Sequence, residues 1–151
     1  MTYETLSGRR VVVGVCGSIA AYKACDLVSA LRQVGAEVRV VMTRNATEFV
    51  GPATFRALSG QDVACELFGQ IAEVEIEHIS LAEFGEALIV VGATANVIGK
   101  VAAGICDDLL TTTVCAAAGK VLLAPAMNWR MWENPITQRN VAALSEVGYT
   151  F

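Results

Sequence analysis

One imidazole is available for acid–base chemistry in this chain: His78 is its single histidine. Imidazole exchanges protons near neutral pH, so any histidine-based proton transfer within the chain must run through this residue. Its neighbours Glu75, Glu77 and Ser80 are polar. A solitary histidine also fits a satisfied packing role, and spacing alone does not separate the two. The least ordinary segment is Pro125-Ala126-Met127-Asn128-Trp129-Arg130-Met131-Trp132. It crowds aromatic and thioether side chains beside an amide and a guanidinium. Such a segment can plug a core, cover an oligomer contact or line a ligand site. In the last case Asn128 would recognise a carboxylate or an amide. Gly14-Val15-Cys16-Gly17-Ser18-Ile19-Ala20 has small residues where a strand would turn into a helix. That turn lets backbone N–H groups approach a phosphate, or it is an ordinary tight turn with Ser18 as helix cap. It is neither G-x-G-x-x-G nor a Walker loop. Thr43-Arg44-Asn45 and Thr94-Ala95-Asn96 each follow an apolar run with short hydrogen-bonding side chains, which can cap a helix (at Asn45 or Thr47 in the first case) or bind a polar ligand. Asp107-Asp108 adjoins Leu109-Leu110 and reads as a negatively charged helix start, because adjacent helical residues do not face each other.

The elements that must position these residues alternate. Val11–Val15 is a continuous apolar run, the kind buried on both faces of a parallel sheet. A helix from Ser18 to about Val34 stops at Gly35, and Glu37–Met42 is a second strand. Thr47–Leu58 reads as a helix ended by Ser59-Gly60, and Asp62–Glu77 is weakly patterned. Ala87–Val91 is a strand, Ala95–Ala103 a helix, Asp107–Ala117 another, and Lys120–Ala124 a strand. Pro135 opens a last helix to about Val147, and Tyr149–Phe151 opens a further strand. The expectation is one α/β domain over residues 1–151: a single doubly wound parallel sheet, three-layered and flavodoxin-like or Rossmann-like. In such folds ligands lie beyond the carboxyl ends of the strands. The segments Gly14–Ala20, Thr43–Asn45, Gly92–Asn96 and Pro125–Asn128 all fall there.

Composition narrows the partners. The net charge of −4 argues against neutralising a nucleic-acid backbone. No apolar run approaches the roughly 20 residues of a membrane helix, and the first ten residues hold no hydrophobic signal core. The 5 cysteines are odd in number and lack a C-x-x-C pair, which fits free thiols in a reducing cytoplasm. One histidine and no thiolate cluster give no basis for a metal site. Hydrophobic residues make up 54% and charged residues only 17% of the chain. That is more apolar surface than one core of this size hides, so subunit contacts are expected.

Five stretches together resemble the homo-oligomeric flavin-containing cysteine decarboxylases. They are GVCGSIAAYKA (Gly14–Ala24), VVMTRNA (Val40–Ala46), HISLAEF (His78–Phe84), ATANVIGKVAAGICDDLLTTT (Ala93–Thr113) and PAMNWRMWENP (Pro125–Pro135). The resemblance is strongest to the branch acting on phosphopantothenoylcysteine in coenzyme A biosynthesis. The P-x-M-N-x-x-M-W motif with an upstream histidine separates this family from the flavin prenyltransferases. The resemblance implies bound FMN, with contacts from Gly17, Ser18, Ile19, Thr43, Asn45, Thr94, Ala95, Asn96, Val97 and Ala126. It implies a catalytic role for His78, a catalytic and substrate-binding role for Asn128, and a substrate contact at Met131. It implies a small cysteine-containing substrate and a homotrimer or a dodecamer of four trimers. The implied reaction oxidises the thiol carbon, releases carbon dioxide from the activated cysteine, and re-reduces the product. GICDDLL with N-x-R-M-W also looks like the peptidyl-cysteine decarboxylases, which stop at the enethiol. A flavin-binding regulator or electron carrier is the non-enzymatic alternative. Glu86-Ala87 and Val91-Gly92 stand where the family has Ala-Asp and Ala-Pro. The family's coenzyme A branch carries an A-C-G segment beyond the last helix, absent here, so a truncated chain is expected.

Overall fold

The computed structural model describes residues 5–67, 77–117 and 120–151. Glu75 and much of the weakly patterned stretch lie outside them. A five-stranded parallel sheet forms the centre, in the order β3-β2-β1-β4-β5. The strands are β1 (Arg10–Val15), β2 (Glu37–Met42), β3 (Val63–Ala64), β4 (Ala87–Ala93) and β5 (Lys120–Pro125). The helices are α1 (Ala21–Gln33), α2 (Pro52–Ser59), α3 (Glu77–Phe84), α4 (Ala95–Ala102), α5 (Leu109–Ala116), α6 (Trp129–Trp132) and α7 (Pro135–Glu146).

β1 is the axis of the molecule because its valines serve both faces. Val12 enters one apolar cluster with Val41, Leu88, Val90, Leu110, Leu123 and Leu144. Val11, Val13 and Val15 enter the other with Val28, Leu31, Val40 and Phe55. Each fully buried valine or leucine contributes about 1.5–3 kcal/mol of apolar burial. Gly14 sets the spacing of the layers. A Cβ there would stand 2.5 Å from Leu110 Cδ1, so the glycine lets α5 press onto the sheet.

Four of the five expected strands reappear, but the edges differ. β3 is an additional strand of 2 residues pairing through Val40↔Val63 and Val41↔Ala64, too short to leave a period in the sequence. Tyr149–Phe151 contributes only an isolated bridge, Leu122↔Thr150. Leaving β3 aside, the remaining order, with Thr150 outside β5, is the flavodoxin-like one. The expected helix over Thr47–Leu58 is two elements: a 3-10 helix at Arg44–Glu48 and α2 from Pro52. Proline disfavours helical backbone in the residue before it, and Gly51 is accordingly extended (φ −70°, ψ 147°). Thr43, rather than Asn45 or Thr47, caps the 3-10 turn. α1 begins at Ala21 instead of Ser18, and α6 was not legible as a helix. Asp108 precedes α5 as its cap, in a capping box with Thr111.

Candidate functional site

The strand order reverses between β1 and β4, and the loops after these two strands open beside one another. Cys16 N–H donates to Val91 O at 3.1 Å, and Thr43 N–H donates to Val15 O at 3.0 Å. The three strand tips are thereby tied together just before each loop departs. At that level two glycines permit contacts that any side chain would block. A Cβ on Gly17 would lie 2.5 Å from Asn45 Cβ and 2.9 Å from the Asn45 backbone carbon. Gly92 has φ +69°, and a Cβ there would lie 2.4 Å from Ser18 Oγ. The register of β4 with β5 shifts at the same place, between Val91 and Ala93.

Ser18 is the informative residue of this cradle. Its N–H donates to Cys16 O and its carbonyl accepts from Ala21 N–H, both at 2.9 Å. Its hydroxyl, however, is buried and has no hydrogen-bond partner among the described residues. The expected capping role is therefore not realised: Ala20 occupies the cap position, with no side-chain cap bond. An unpartnered buried polar group costs about 1–3 kcal/mol. Ile19, next in the turn, is 77% exposed.

The other strand-tip residues divide between capping and open surface. Thr43 Oγ1 accepts from Ala46 N–H at 3.2 Å, and Thr94 Oγ1 accepts from Val97 N–H at 3.2 Å. Both spend an acceptor on the first turn of a helix. Asn45 and Asn96 are exposed, Ala95 is half-buried, and the Val97 side chain sits in the core. Ala126 N–H donates to Ala93 O at 3.1 Å, which fixes the loop after β5 against the tip of β4. Asn128 Oδ1 accepts from Arg130 N–H at 3.0 Å and caps α6, leaving the amide NH2 to the exterior.

A cavity of about 570 Å³ brings Ala95, Asn96 and Met131 together with Lys100, Ile105 and Asn134. A smaller one of about 280 Å³ is lined by Pro125, Ala126, Met127 and Trp132. Lys100 was not singled out from sequence. Lys100 stands four residues after Asn96, on the same helix face, and this spacing is the signal that could have found it. Its ammonium lies 2.8 Å from Asp107 Oδ1 and 3.4 Å from Asp108 Oδ2. The hydrogen bond to Asp107, ahead of the nearby Asp108 charge, raises the Lys100 pKa and keeps it cationic.

His78 is half-buried in the first turn of α3. α3 delivers the chain to the start of β4, where Glu86 N–H donates to Arg10 O at 2.9 Å. Its first turn is therefore the end nearer the carboxyl tips of the strands. α3 packs against α5 and β1, and Arg39 Nη1 donates to Ser80 Oγ at 3.2 Å. None of the described side-chain hydrogen bonds involves His78. Burial raises the carboxyl pKa of the adjacent Glu77. Cys16 lies between the cradle and Thr94; burial pushes its thiol up to about 12, so it stays protonated.

Comparison with known proteins extends these observations. The family model described as Flavoprotein matches residues 1–151. The chain is 49% identical over 146 residues to the coenzyme A biosynthesis bifunctional protein CoaBC of Bacillus subtilis, covering 97% of this chain and 36% of that protein. It is 46% identical over 140 residues to the protein of that name from Mycolicibacterium smegmatis, covering 93% of this chain and 33% of that one. The chain thus spans about a third of the length of these curated relatives. Among solved structures it superposes on the FMN-dependent cysteine decarboxylase SpaF with a TM-score of 0.90 and 36% identity, covering 97% of this chain and 84% of that one. A PPC decarboxylase mutant complexed with pantothenoylaminoethenethiol gives 0.79 and 32%, over 95% of this chain and 80% of that one. The strand-tip cradle, the motif after β5 and the end-to-end family match agree: the chain belongs to the flavoprotein family, among the flavin-containing cysteine decarboxylases that its motifs resemble.

Proposed function

We propose that this chain is an FMN-dependent carboxy-lyase that acts on phosphopantothenoylcysteine and serves coenzyme A biosynthesis by forming phosphopantetheine. The observation that carries this reading is the cradle at the switch point. It has glycines where side chains would collide, and a buried serine hydroxyl with no partner among the described residues. The glycines let the loops close on one another at the helix N-terminus, and the serine hydroxyl is a donor left over for a phosphorylated cofactor. Gly17, Ser18 and Ile19 would hold the phosphate end. Thr43, Asn45, Thr94, Ala95, Asn96, Val97 and Ala126 would line the remainder. When bound, FMN would supply reversible hydride acceptance at the thiol-bearing carbon, which cysteine chemistry lacks.

The chain's own residues have separate tasks. Loss of carbon dioxide leaves an electron pair that needs a sink, and an oxidised thiol carbon beside it provides one. The protein's part is position and proton control. His78 is assigned the proton transfers at the substrate sulfur and carbon, because it is the chain's one imidazole. Asn128, whose carbonyl oxygen is already spent on Arg130, presents its amide NH2 to the substrate carboxylate. Met131 supplies an apolar wall to the neighbouring cavity. A homotrimer, or four such trimers, is the assembly this reading entails, and the exposed Ile19, Trp129, Met131 and Ile136 give it apolar surface to bury. A reducing cytoplasm suits its five free cysteines.

A peptidyl-cysteine decarboxylase is the second reading, favoured by the likeness to peptidyl-cysteine decarboxylase EpiD (TM-score 0.81, 28% identity). The test is incubation of the FMN-loaded protein with phosphopantothenoylcysteine and, separately, with peptides ending in cysteine, followed by mass spectrometry. Loss of carbon dioxide from the first substrate, alone or with two hydrogens, supports the proposal. Turnover of the peptides alone transfers the assignment to the second reading. Intact substrates with FMN bound would reject both.

A further inference from the structure

We propose that Lys100 is a specificity-determining residue: in the cavity of about 570 Å³ its ammonium donates to an amide carbonyl on the acyl arm of the cysteine substrate. This assignment rests on the reading of the chain as a decarboxylase of amide-bearing cysteine compounds, and it adds a residue given no role there. The cavity lies where α4 packs against α7, and Lys100 is the one charged residue among those that line it. An ammonium carries three N–H donors. Two of them meet Asp107 Oδ1 at 2.8 Å and Asp108 Oδ2 at 3.4 Å, and the third has no partner among the described residues. Asp108 is itself anchored, because its Oδ1 accepts from Thr111 N–H at 2.8 Å. The backbone around Lys100 is tied as well, its carbonyl accepting from Ile105 N–H at 2.9 Å. A long flexible side chain is thereby held in place before any ligand arrives, which lowers the ordering cost of binding.

The α7 side of the wall also offers donors whose companion acceptors are already used. Asn134 Oδ1 accepts from Ile136 N–H at 2.9 Å, and Asn140 Oδ1 accepts from Arg139 Nη2 at 3.3 Å. The amide NH2 of each is left over for a ligand. Gly99 gives Asn140 room, since a Cβ there would stand 3.6 Å from Asn140 Nδ2. A wall of N–H donors selects a ligand with acceptor oxygens, and charge decides which oxygens. One ammonium between two carboxylates leaves that cluster net negative, which disfavours a phosphate or carboxylate beside it and suits the neutral oxygen of an amide. Ile105 and Met131 give the same cavity apolar surface for the methylene parts of such an arm. Both phosphopantothenoylcysteine and a peptide ending in cysteine carry the amide carbonyl. Free cysteine does not, so the contact separates acylated from free cysteine.

The test is calorimetric binding to the FMN-loaded chain of three probes in which a hydroxyl replaces the thiol, so that no turnover intervenes: phosphopantothenoylserine, pantothenoylserine and a peptide ending in serine. For each probe that the unaltered chain binds, Lys100→Gln should weaken binding at least about tenfold, the scale of a lost hydrogen bond from a charged donor. Lys100→Arg should recover most of that loss, and FMN affinity should stay as it was. The factor should be the same for the two pantothenoyl probes, with and without phosphate. Binding that Lys100→Gln leaves unchanged would overturn the proposal, as would an effect confined to the phosphorylated probe, which would make Lys100 a phosphate contact. Should Lys100→Gln lose FMN or helical circular dichroism, Asn140→Ala decides, because it leaves the ion pairs intact: binding about threefold weaker supports the assignment, and unchanged binding overturns it. If the unaltered chain binds none of the probes, the functional reading falls and takes this inference with it; if it binds one that Lys100→Gln binds equally, the inference alone falls.

Discussion

Gly17 has no room for a methyl group, because the obstacle on one side is the Asn45 backbone, which cannot rotate away. Gly17→Ala should therefore separate the loops after β1 and β2. FMN affinity should fall at least about tenfold, and stability by about 1–3 kcal/mol, the usual cost of overpacking; flavin-fluorescence titration and urea unfolding measure the two. His78→Asn should leave FMN bound and lower decarboxylation by at least about a hundredfold, the scale of lost general acid–base catalysis. Cys16 gives a prediction in pH. Burial raises its thiol from 9.0 to about 12 in the folded chain, so folding favours the neutral form. That contribution is fully present below the ordinary thiol range and is lost as pH climbs through the folded value. Native protein at pH 8 should alkylate at the exposed Cys115 and spare Cys16 until it is unfolded; equal labelling of both by peptide mapping would contradict this. The glycine turn was legible because a close approach of backbone to Asn45 needs that residue type. The bare Ser18 hydroxyl was not: whether a serine caps a helix depends on where the helix starts, and here the chain makes one more turn before α1 begins.

α5 shows how much a single element's start can organise. Asp108 Oδ1 accepts from Thr111 N–H at 2.8 Å, Thr111 Oγ1 accepts from Asp108 N–H at 3.3 Å, and the same aspartate meets Lys100. Asp108→Ala should cost about 0.5–2 kcal/mol, typical of a lost cap, and should lower the thermal unfolding midpoint. Asp108→Asn keeps a capping oxygen and should recover most of that loss. The strands and the helix order could be read from the chain because apolar runs and their spacing carry both. Two features could not. β3 forms from only 2 residues, held by pairing at the edge of a sheet that the other strands create. The stretch after β2 has helical composition throughout, yet the stiff Gly51-Pro52 junction divides it.

The whole molecule leaves Ile19 77%, Trp129 61% and Ile136 60% exposed, although 54% of its residues are hydrophobic. Apolar side chains this open fit a surface covered by other copies. Sedimentation should accordingly give three chains or a multiple of three, and Trp129→Glu should shift the population toward single chains. The strand-tip loops meet directly, and His78 is carried on α3, whose first turn lies toward the same, carboxyl end of the sheet. The spacing of residues along a chain does not record how separate elements approach. Titration of FMN with the purified chain, followed by flavin fluorescence, tests the central claim most directly. The account predicts quenching that saturates at one flavin per chain and is weakened by Gly17→Ala. Fluorescence that stays equal to that of free flavin through a large excess of protein would contradict it.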